Sequence, residues 1–303
     1  MIEIEFKKAT LEDRPLILHY FHHYTSRSCE RTFANVYLWA RFYHVTFAIV
    51  EDTLVFRSEE DDQFSFTYPA GEISQIKKSI DTLTAYCEER NVPFSMYCVT
   101  PENFEELERL YPGRFEIEYN EDDADYVYES EKLATLSGKK LHAKRNHINK
   151  FKLLYENRWS YEPLTNDNLE ECFQMALSWR NENGCEDDEE KNAEICVTLN
   201  SLRLFEELEL VGGVLKVDGK VVAFTIGEPI CKDTFVVHIE KAFADVEGAY
   251  TMINQQFVQH ACMDYPYVNR EEDTGSEGLR RAKRSYRPVF MVQKGYVKEK
   301  EHK

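Results

Sequence analysis

The residues best equipped for chemistry stand in NREEDTGSEGLRRAKRSYRP, residues 269–288. Three acids come first: Glu271, Glu272 and Asp273. A Thr-Gly-Ser-Glu-Gly turn follows, then five basic residues in eight: Arg280, Arg281, Lys283, Arg284 and Arg287. Carboxylates can take a proton from a nucleophile. Amides at a helix start, together with basic side chains, can hold an anion. Gly275 and Gly278 permit close approach to such amides. The same residues also read as a well-capped helix, with Thr274 or Ser276 as N-cap and Glu277 in the first turn. A lone GxxG is neither a dinucleotide fingerprint nor a P-loop.

A second basic stretch, KKLHAKRNHINKFK at 139–152, holds six Lys or Arg and no acid. Leu141, Ile148 and Phe151 can share one apolar stripe at helical spacing, with Lys140, Lys144 and Arg145 beside it. One charge run is usually a solvated face. Two acid-free runs holding eleven of 37 basic residues in a chain of net charge −18 point to a joint anion site. The two stretches are therefore expected to meet in space. Other constellations offer less. His19, His22 and His23 fall at i, i+3 and i+4, without a carboxylate or Cys partner, so no metal site is expected. There is no GxSxG, and no Cys carries a nucleophile signature.

The elements that must position these residues are legible. MIEIEFKKAT alternates like a strand, and LEDRPLILHYFHHY and FANVYLWARFY read as helices. VTFAIVEDTLVFRS reads as a hairpin and FSFTYPAG as a strand. EISQIKKSIDTLTAYCEERN is helical, VPFSMYCVT a strand and PENFEELERLYP a helix starting at Pro101. FEIEYNEDDADYVYES gives two strands around an acidic loop. The second half repeats the order: WSYEPL a strand, two helices around the acidic ENGCEDDEEKNAE, then the hairpin GGVLKVDGKVVAFTIGEPI turning at Asp218-Gly219. DTFVVHIEKAFA is a strand, GAYTMINQQFVQHACMDY a helix, YVNREED a strand, SEGLRRAKRSYR a helix and VFMVQKGYVKE a final strand. The fold class expected is α+β, a mixed sheet in each of two domains. The expected boundaries are 1–135, a basic linker helix at 136–155, and 156–303.

Composition narrows the class. A chain of 303 residues suits two ordinary domains. A strongly acidic surface argues against a protein that coats nucleic acid or anionic membrane with its whole body, and no DNA partner is expected. Eight scattered cysteines without CxxC read as thiols in a reducing compartment. No signal peptide and no run long enough to span a membrane is visible, so no transmembrane segment and a cytoplasmic location are expected. The 37 Tyr and Phe supply core and cleft lining.

Together, GKKLHAKRNHINKF and EEDTGSEGLRRAKRSYRP resemble the paired signatures of the phosphatidylglycerol lysyltransferase C-terminal domain-like proteins. These are tandem GNAT-fold proteins, similar in architecture to the Fem aminoacyltransferases. The resemblance covers nearly the whole chain and implies two GNAT-like acyltransferase domains. It implies acyl transfer from a phosphate-bearing donor, an aminoacyl-tRNA or a CoA thioester, to an amine or hydroxyl of a small-molecule or peptide acceptor. No cofactor is fixed by it. The chain departs from both parents. No counterpart of the lysyltransferases' membrane domain is expected in this chain. Where a glycine-rich pyrophosphate loop would stand, it reads Asp245-Val246-Glu247-Gly248-Ala249-Tyr250.

Within a GNAT-like half, Glu240 at the end of VVHIEKA lies beside the central cleft and is the candidate base. The alternative, and the commoner role for such a carboxylate, is a structural pair with Lys241 or a neighbouring arginine. Glu272 and Asp273 are the runners-up. Arg280 and Lys283 would hold phosphate or the oxyanion, with Gly275 and Gly278 opening the helix start. Tyr286 would donate a proton or pack. Lys144 and Arg145 would reach donor phosphates. Two alternatives stand beside aminoacyl transfer: an acetyl-CoA-dependent N-acetyltransferase, and a silent double-GNAT module that binds its ligand without turnover.

Overall fold

A computed structural model describes residues 2–23, 25–60, 63–184 and 188–300. In chain order the first helices are α1 (Arg14–His23) and α2 (Phe33–Trp39). Then come β1 (Thr46–Val50), β2 (Thr53–Glu60), β3 (Gln63–Thr67), α3 (Ile73–Glu88), β4 (Ser95–Val99), α4 (Pro101–Leu110) and β5 (Phe115–Tyr119). The chain continues with β6 (Asp125–Glu129), α5 (Ser130–Thr135), α6 (His142–Leu154), β7 (Trp159–Pro163), α7 (Leu169–Glu182) and α8 (Glu189–Arg203). It ends with β8 (Val211–Val217), β9 (Lys220–Cys231), β10 (Thr234–Ala242), α9 (Ala249–Phe257), β11 (Tyr267–Asn269), α10 (Glu277–Ser285), β12 (Phe290–Val292) and β13 (Gly295–Glu299).

These elements form two compact units, residues 1–124 with 292–303, and residues 125–291. The first holds a six-stranded sheet in the order β1-β2-β3-β4-β13-β5. The second sheet has seven strands, β12-β6-β11-β10-β9-β8-β7. Both are mixed and largely antiparallel, so the α+β class and the two-domain organisation hold. Turn chemistry explains the hairpins. Glu51 and Asp52, and again Asp218 and Gly219, all have positive φ, as a two-residue type I′ turn requires. Pro101 opens α4, and the Thr100 hydroxyl caps it by accepting from the Asn103 amide.

Several expectations change. The boundary falls before residue 125, not 135, because β6 pairs with β11. The single final strand is two: β12 belongs to the second sheet, and β13 pairs with β4 and β5 in the first. The N-terminal strand reduces to one bridge, Lys7 with Phe47, although Ile2, Ile4 and Phe6 pack against the first core as the alternation suggested. The basic 136–155 segment is not a linker. Leu141, Ile148 and Phe151 are buried in the second unit's core with Met252 and Ile253 of α9 and Leu215, Ala223 and Phe235 of the sheet. Helical spacing placed the stripe correctly, but only packing shows that the stripe is covered. Seven described cysteines are free thiols. Cys185, its acidic neighbours Glu186 and Asp187, and the side chain of His23 lie outside the described residues. His19 and His22 are exposed on α1.

Phe151 is fully buried. Replacing it by Ala is expected to destabilise the protein by about 3–5 kcal/mol in chemical denaturation. A solvated linker would lose no more than about 0.5 kcal/mol.

Candidate functional site

The parallel pair β10–β11 lasts only from Thr234–Tyr267 to Val236–Asn269. Beyond it β10 runs on to Ala242, while the chain after Asn269 stays with β6. Arg270 donates its amide to Tyr126, and Tyr126 donates its own to Glu271. The two strands part, and side chains fill the opening. β10 also carries a bulge there: Val237 faces Gly227 and Ile239 faces Ile226, leaving His238 over. A bulge re-aims a side chain. His238 lies between two carboxylates, Nδ1 at 2.7 Å from Glu271 Oε1 and Nε2 at 3.0 Å from Glu228 Oε1. Burial alone would lower its pKa, but the two carboxylates outweigh burial and raise it well above the ordinary value. His238 is therefore a buried imidazolium that ties β9, β10 and the segment after β11 together.

One residue pair further along, Arg270 Nη2 donates to Glu240 Oε1 at 2.8 Å, and Asn254 Nδ2 of α9 donates to Glu240 Oε2 at 3.0 Å. Both charged side chains are 12% exposed. The Arg270 guanidinium lies 4.9 Å from the Tyr286 ring and 5.8 Å from that of Tyr128. Lys144 Nζ of α6 also sits over the Tyr286 ring, 3.9 Å from its centroid. The two basic stretches thus do meet, through Lys144 and Tyr286. Burial pushes the Lys144 amine down, Arg270 adds to this and Glu240 opposes it, leaving it at about 8. Burial pushes the Tyr286 phenol up, so it stays neutral. Two buried polar atoms here have no hydrogen-bond partner among the described residues: Arg270 Nη1 and Asn254 Oδ1.

Most of the charge in the two stretches is used on the protein itself. Asp273 is fully buried and accepts from Arg280 Nε at 2.9 Å, Arg280 Nη2 at 2.7 Å, the Tyr126 hydroxyl at 2.6 Å and the Gly275 amide at 3.0 Å. Burial would raise its carboxyl, but Arg280, Tyr126 and Gly275 outweigh that and hold it down at about 2. Asp273 clamps the turn, and Arg280 is the other jaw of that clamp. Gly275 serves the turn through its φ of +79°, while a Cβ at Gly278 would meet nothing. Lys283 is buried and donates to the Arg270 carbonyl at 2.7 Å and the Glu271 carbonyl at 3.2 Å, and also to that of Glu272. It fixes the backbone beneath Arg270 instead of holding phosphate. Arg145 Nη1 donates to the carbonyls of Leu136 and, at 2.7 Å, Gly138. Glu240 is the ion-pair partner of Arg270, the alternative raised above. Of the nine expected site residues, Lys144, Glu240 and Tyr286 converge.

Arg270, Asn254, His238 and Glu228 were not singled out from the sequence. Arg270 is the lone cation before three acids, which was the available signal. Asn254 and Glu228 lie far from either stretch in the chain and carry none. The turn before α9 is also informative. Glu247 pairs with Lys150 of α6. Gly248, at φ +84°, has room for no Cβ: one would fall 2.7 Å from the His147 carbonyl oxygen and 3.1 Å from Phe151 Cβ. The turn's one glycine admits α6.

Two titrations follow. Asp273 has a depressed folded-state pKa, so its contribution is present above the unfolded value of about 3.9 and is lost as pH falls through about 2. His238 has a raised one, so its contribution is complete below the unfolded value of about 6.5 and is lost as pH rises through the folded-state value. Asp273→Asn is expected to cost about 3–5 kcal/mol at pH 7 by removing the buried carboxylate that Arg280, Tyr126 and Gly275 hold, and to flatten the acid limb of a denaturation-versus-pH curve. His238→Gln is expected to flatten only the alkaline limb.

A family model described as phosphatidylglycerol lysyltransferase, C-terminal, matches residues 21–297. The crystal structure of a conserved protein of unknown function from Bacteroides thetaiotaomicron is 39% identical, covering 98% of this chain and 100% of that one, with a TM-score of 0.92. The structure of L-PGS from Bacillus licheniformis is 13% identical, covering 100% of this chain and 95% of that one at a TM-score of 0.67. At that identity the likeness shows the fold. A curated relative, an uncharacterized protein of Mycoplasmoides gallisepticum, is 25% identical over 189 residues, which span 61% of this chain and 60% of the relative. Among the described residues no helix is long and apolar enough to cross a membrane.

Proposed function

The chain belongs to the family described as phosphatidylglycerol lysyltransferase, C-terminal, and from that premise we propose that its second unit transfers an aminoacyl group from an aminoacyl-tRNA to a nucleophile on a small-molecule or peptide acceptor. The family and the fold make it an acyl- or aminoacyl-transferase-like protein. The donor and the acceptor are this proposal's own. The observation that carries it is buried Arg270 where β10 and β11 part, which shares the Tyr286 ring with Lys144 and whose Nη1 has no hydrogen-bond partner among the described residues. Transfer from an ester passes through a tetrahedral oxyanion, and a fixed donor in a water-poor site stabilises that charge. Glu240 and the tyrosine rings hold the Arg270 guanidinium in place, with Nη2 bound to Glu240.

The choice of aminoacyl-tRNA over a CoA thioester rests on the turn before α9. A pyrophosphate at a helix start needs amides approached through glycine and no local acid. Here the acids Asp245 and Glu247 occupy the turn and its glycine packs on α6. The exposed cations of the two basic stretches, among them Lys139, Lys140, Lys152 and Arg281, remain for a polyanion. Their binding energy would fall steeply with salt.

The experiment is a transfer assay with radiolabelled aminoacyl-tRNAs and, separately, acetyl-CoA, against a mixture of amines and short peptides. Aminoacyl-tRNA should be the productive donor. Arg270→Gln, with its melting temperature checked, should lower kcat by about 10²–10³. Turnover with acetyl-CoA and none with any aminoacyl-tRNA would overturn the reading.

A further inference from the structure

Burial pushes the Cys87 and Cys172 thiols up to about 12 and raises those of Cys231 and Cys262 as well, which keeps all four protonated and poorly reactive. Cys29 has a different neighbour. Lys294, which directly precedes β13, donates to Cys29 Sγ at 3.7 Å and to Glu30 Oε1 at 2.6 Å. Cys98 Sγ, near the end of β4, donates to the same carboxylate oxygen at 3.6 Å. Two thiols, an amine and a carboxylate thus form one cluster, and all four residues belong to the first unit. Cys98 is bonded to the carboxylate and Cys29 to the amine. Cys29 is therefore the thiol placed for bond formation with nitrogen.

Cys29 and Lys294 are both buried. The cluster is not sealed, however. The Glu30 side chain is 25% exposed and Cys98 is half-buried, so a water-sized oxidant reaches its edge. A small local opening then exposes the Cys29 sulfur. An ammonium beside a sulfur favours the thiolate, the form that peroxides attack. The sulfenic acid that results condenses with a nearby thiol or nitrogen. Here the nitrogen in contact is Lys294 Nζ, and Glu30 stands ready to take its proton.

We propose that the first unit carries an oxidative modification site, in which a hydroperoxide such as hydrogen peroxide triggers an S–N bond between Cys29 Sγ and Lys294 Nζ. It does not depend on the transfer reading given above. The Cys29 sulfur loses two electrons and becomes a sulfenic acid, while the peroxide O–O bond breaks and yields water. Glu30 takes one proton from the Lys294 ammonium. The amine lone pair attacks sulfur, the S–N bond forms and the S–O bond breaks. The departing hydroxide takes a second amine proton and leaves as water, and Glu30 releases its proton to solvent. One thiol, one ammonium and one hydrogen peroxide thus give the sulfenamide, two waters and one proton. A dithiol reductant reverses the link, restoring thiol and amine as it becomes a disulfide. The two residues are 265 positions apart in the chain. Closing so long a loop restricts the unfolded chain, and it pins the entry to β13, the strand that lies between β4 and β5.

Peptide mapping of the full chain after treatment with hydrogen peroxide tests this without any substrate. Remaining thiols are alkylated on denaturation, and the digest is read by mass spectrometry. A peptide pair joining residues 29 and 294 should appear, lighter by two hydrogens than its separate halves. It should be absent without peroxide and lost on adding dithiothreitol. The linked protein should also melt at a higher temperature than the reduced protein. Lys294→Arg keeps a cation for Glu30 and should yield no link, leaving Cys29 as a sulfenic acid that dimedone traps. Should that variant not fold, the map of the wild-type chain decides alone. A disulfide between Cys29 and Cys98 in place of the link would overturn the proposal. So would dimedone-trapped Cys29 beside unlinked Lys294 in the wild-type chain, or Cys29 left unoxidised at a dose that oxidises Cys98.

Discussion

The second unit depends on one buried ion pair, Glu240 with Arg270, set where β10 and β11 part. Separating the strands leaves backbone and side chains without the sheet's own hydrogen bonds, and something must fill the space at low dielectric. A carboxylate and a guanidinium do so only if each is further satisfied, because desolvating two charges costs several kcal/mol per ion. Glu240 is satisfied on both oxygens. Arg270 is satisfied on one side and lies against two tyrosines, which leaves Nη1 without a hydrogen bond among the described residues. That incompleteness is costly in a merely structural pair and useful in a site that awaits an oxygen.

Around this pair the remaining charges act as supports. Lys283 holds the carbonyls of residues 270–272, the segment that carries Arg270. Asp273 and Arg280 close the turn that follows, and Asn269 Nδ2 donates to Asp125 Oδ2 at 2.8 Å just before it. The His238 bulge ties the same segment to β9 and β10 through Glu271 and Glu228. A side chain is held in productive geometry only when its own carrier is fixed. The density of charge order in residues 269–288 is therefore mostly the chemistry of fixing one short piece of backbone.

Much of the fold could be read from sequence. Period-two and period-3.6 patterns located nearly all strands and helices, since local backbone geometry decides which side chains share a face. Glu51-Asp52 and Asp218-Gly219 turned where a type I′ turn needs positive φ. Strand partners were less legible. Nothing local says that VFMVQKGYVKE breaks at Gln293 and Lys294 into two strands of different sheets, or that β6 sits between β11 and β12. For the site, the meeting of the two basic stretches was legible as charge asymmetry. The roles within them were not, because a lysine aimed at three carbonyls and a lysine left open look alike in one dimension.

The sequence by itself determined the elements, the two-unit α+β class, the family and the two stretches from which the site is built. These follow from residue type, short-range periodicity and motif. The tertiary structure decided which charges are neutralised and which remain open. Asp273, Arg280, Lys283 and Arg145 found hydrogen-bond partners, while among the described residues Lys144 has only the Tyr286 ring and Arg270 Nη1 has no hydrogen bond. Availability is a property of neighbours and burial, and those are set by contacts between residues far apart in the chain, such as Lys144 with Tyr286 and Glu240 with Arg270.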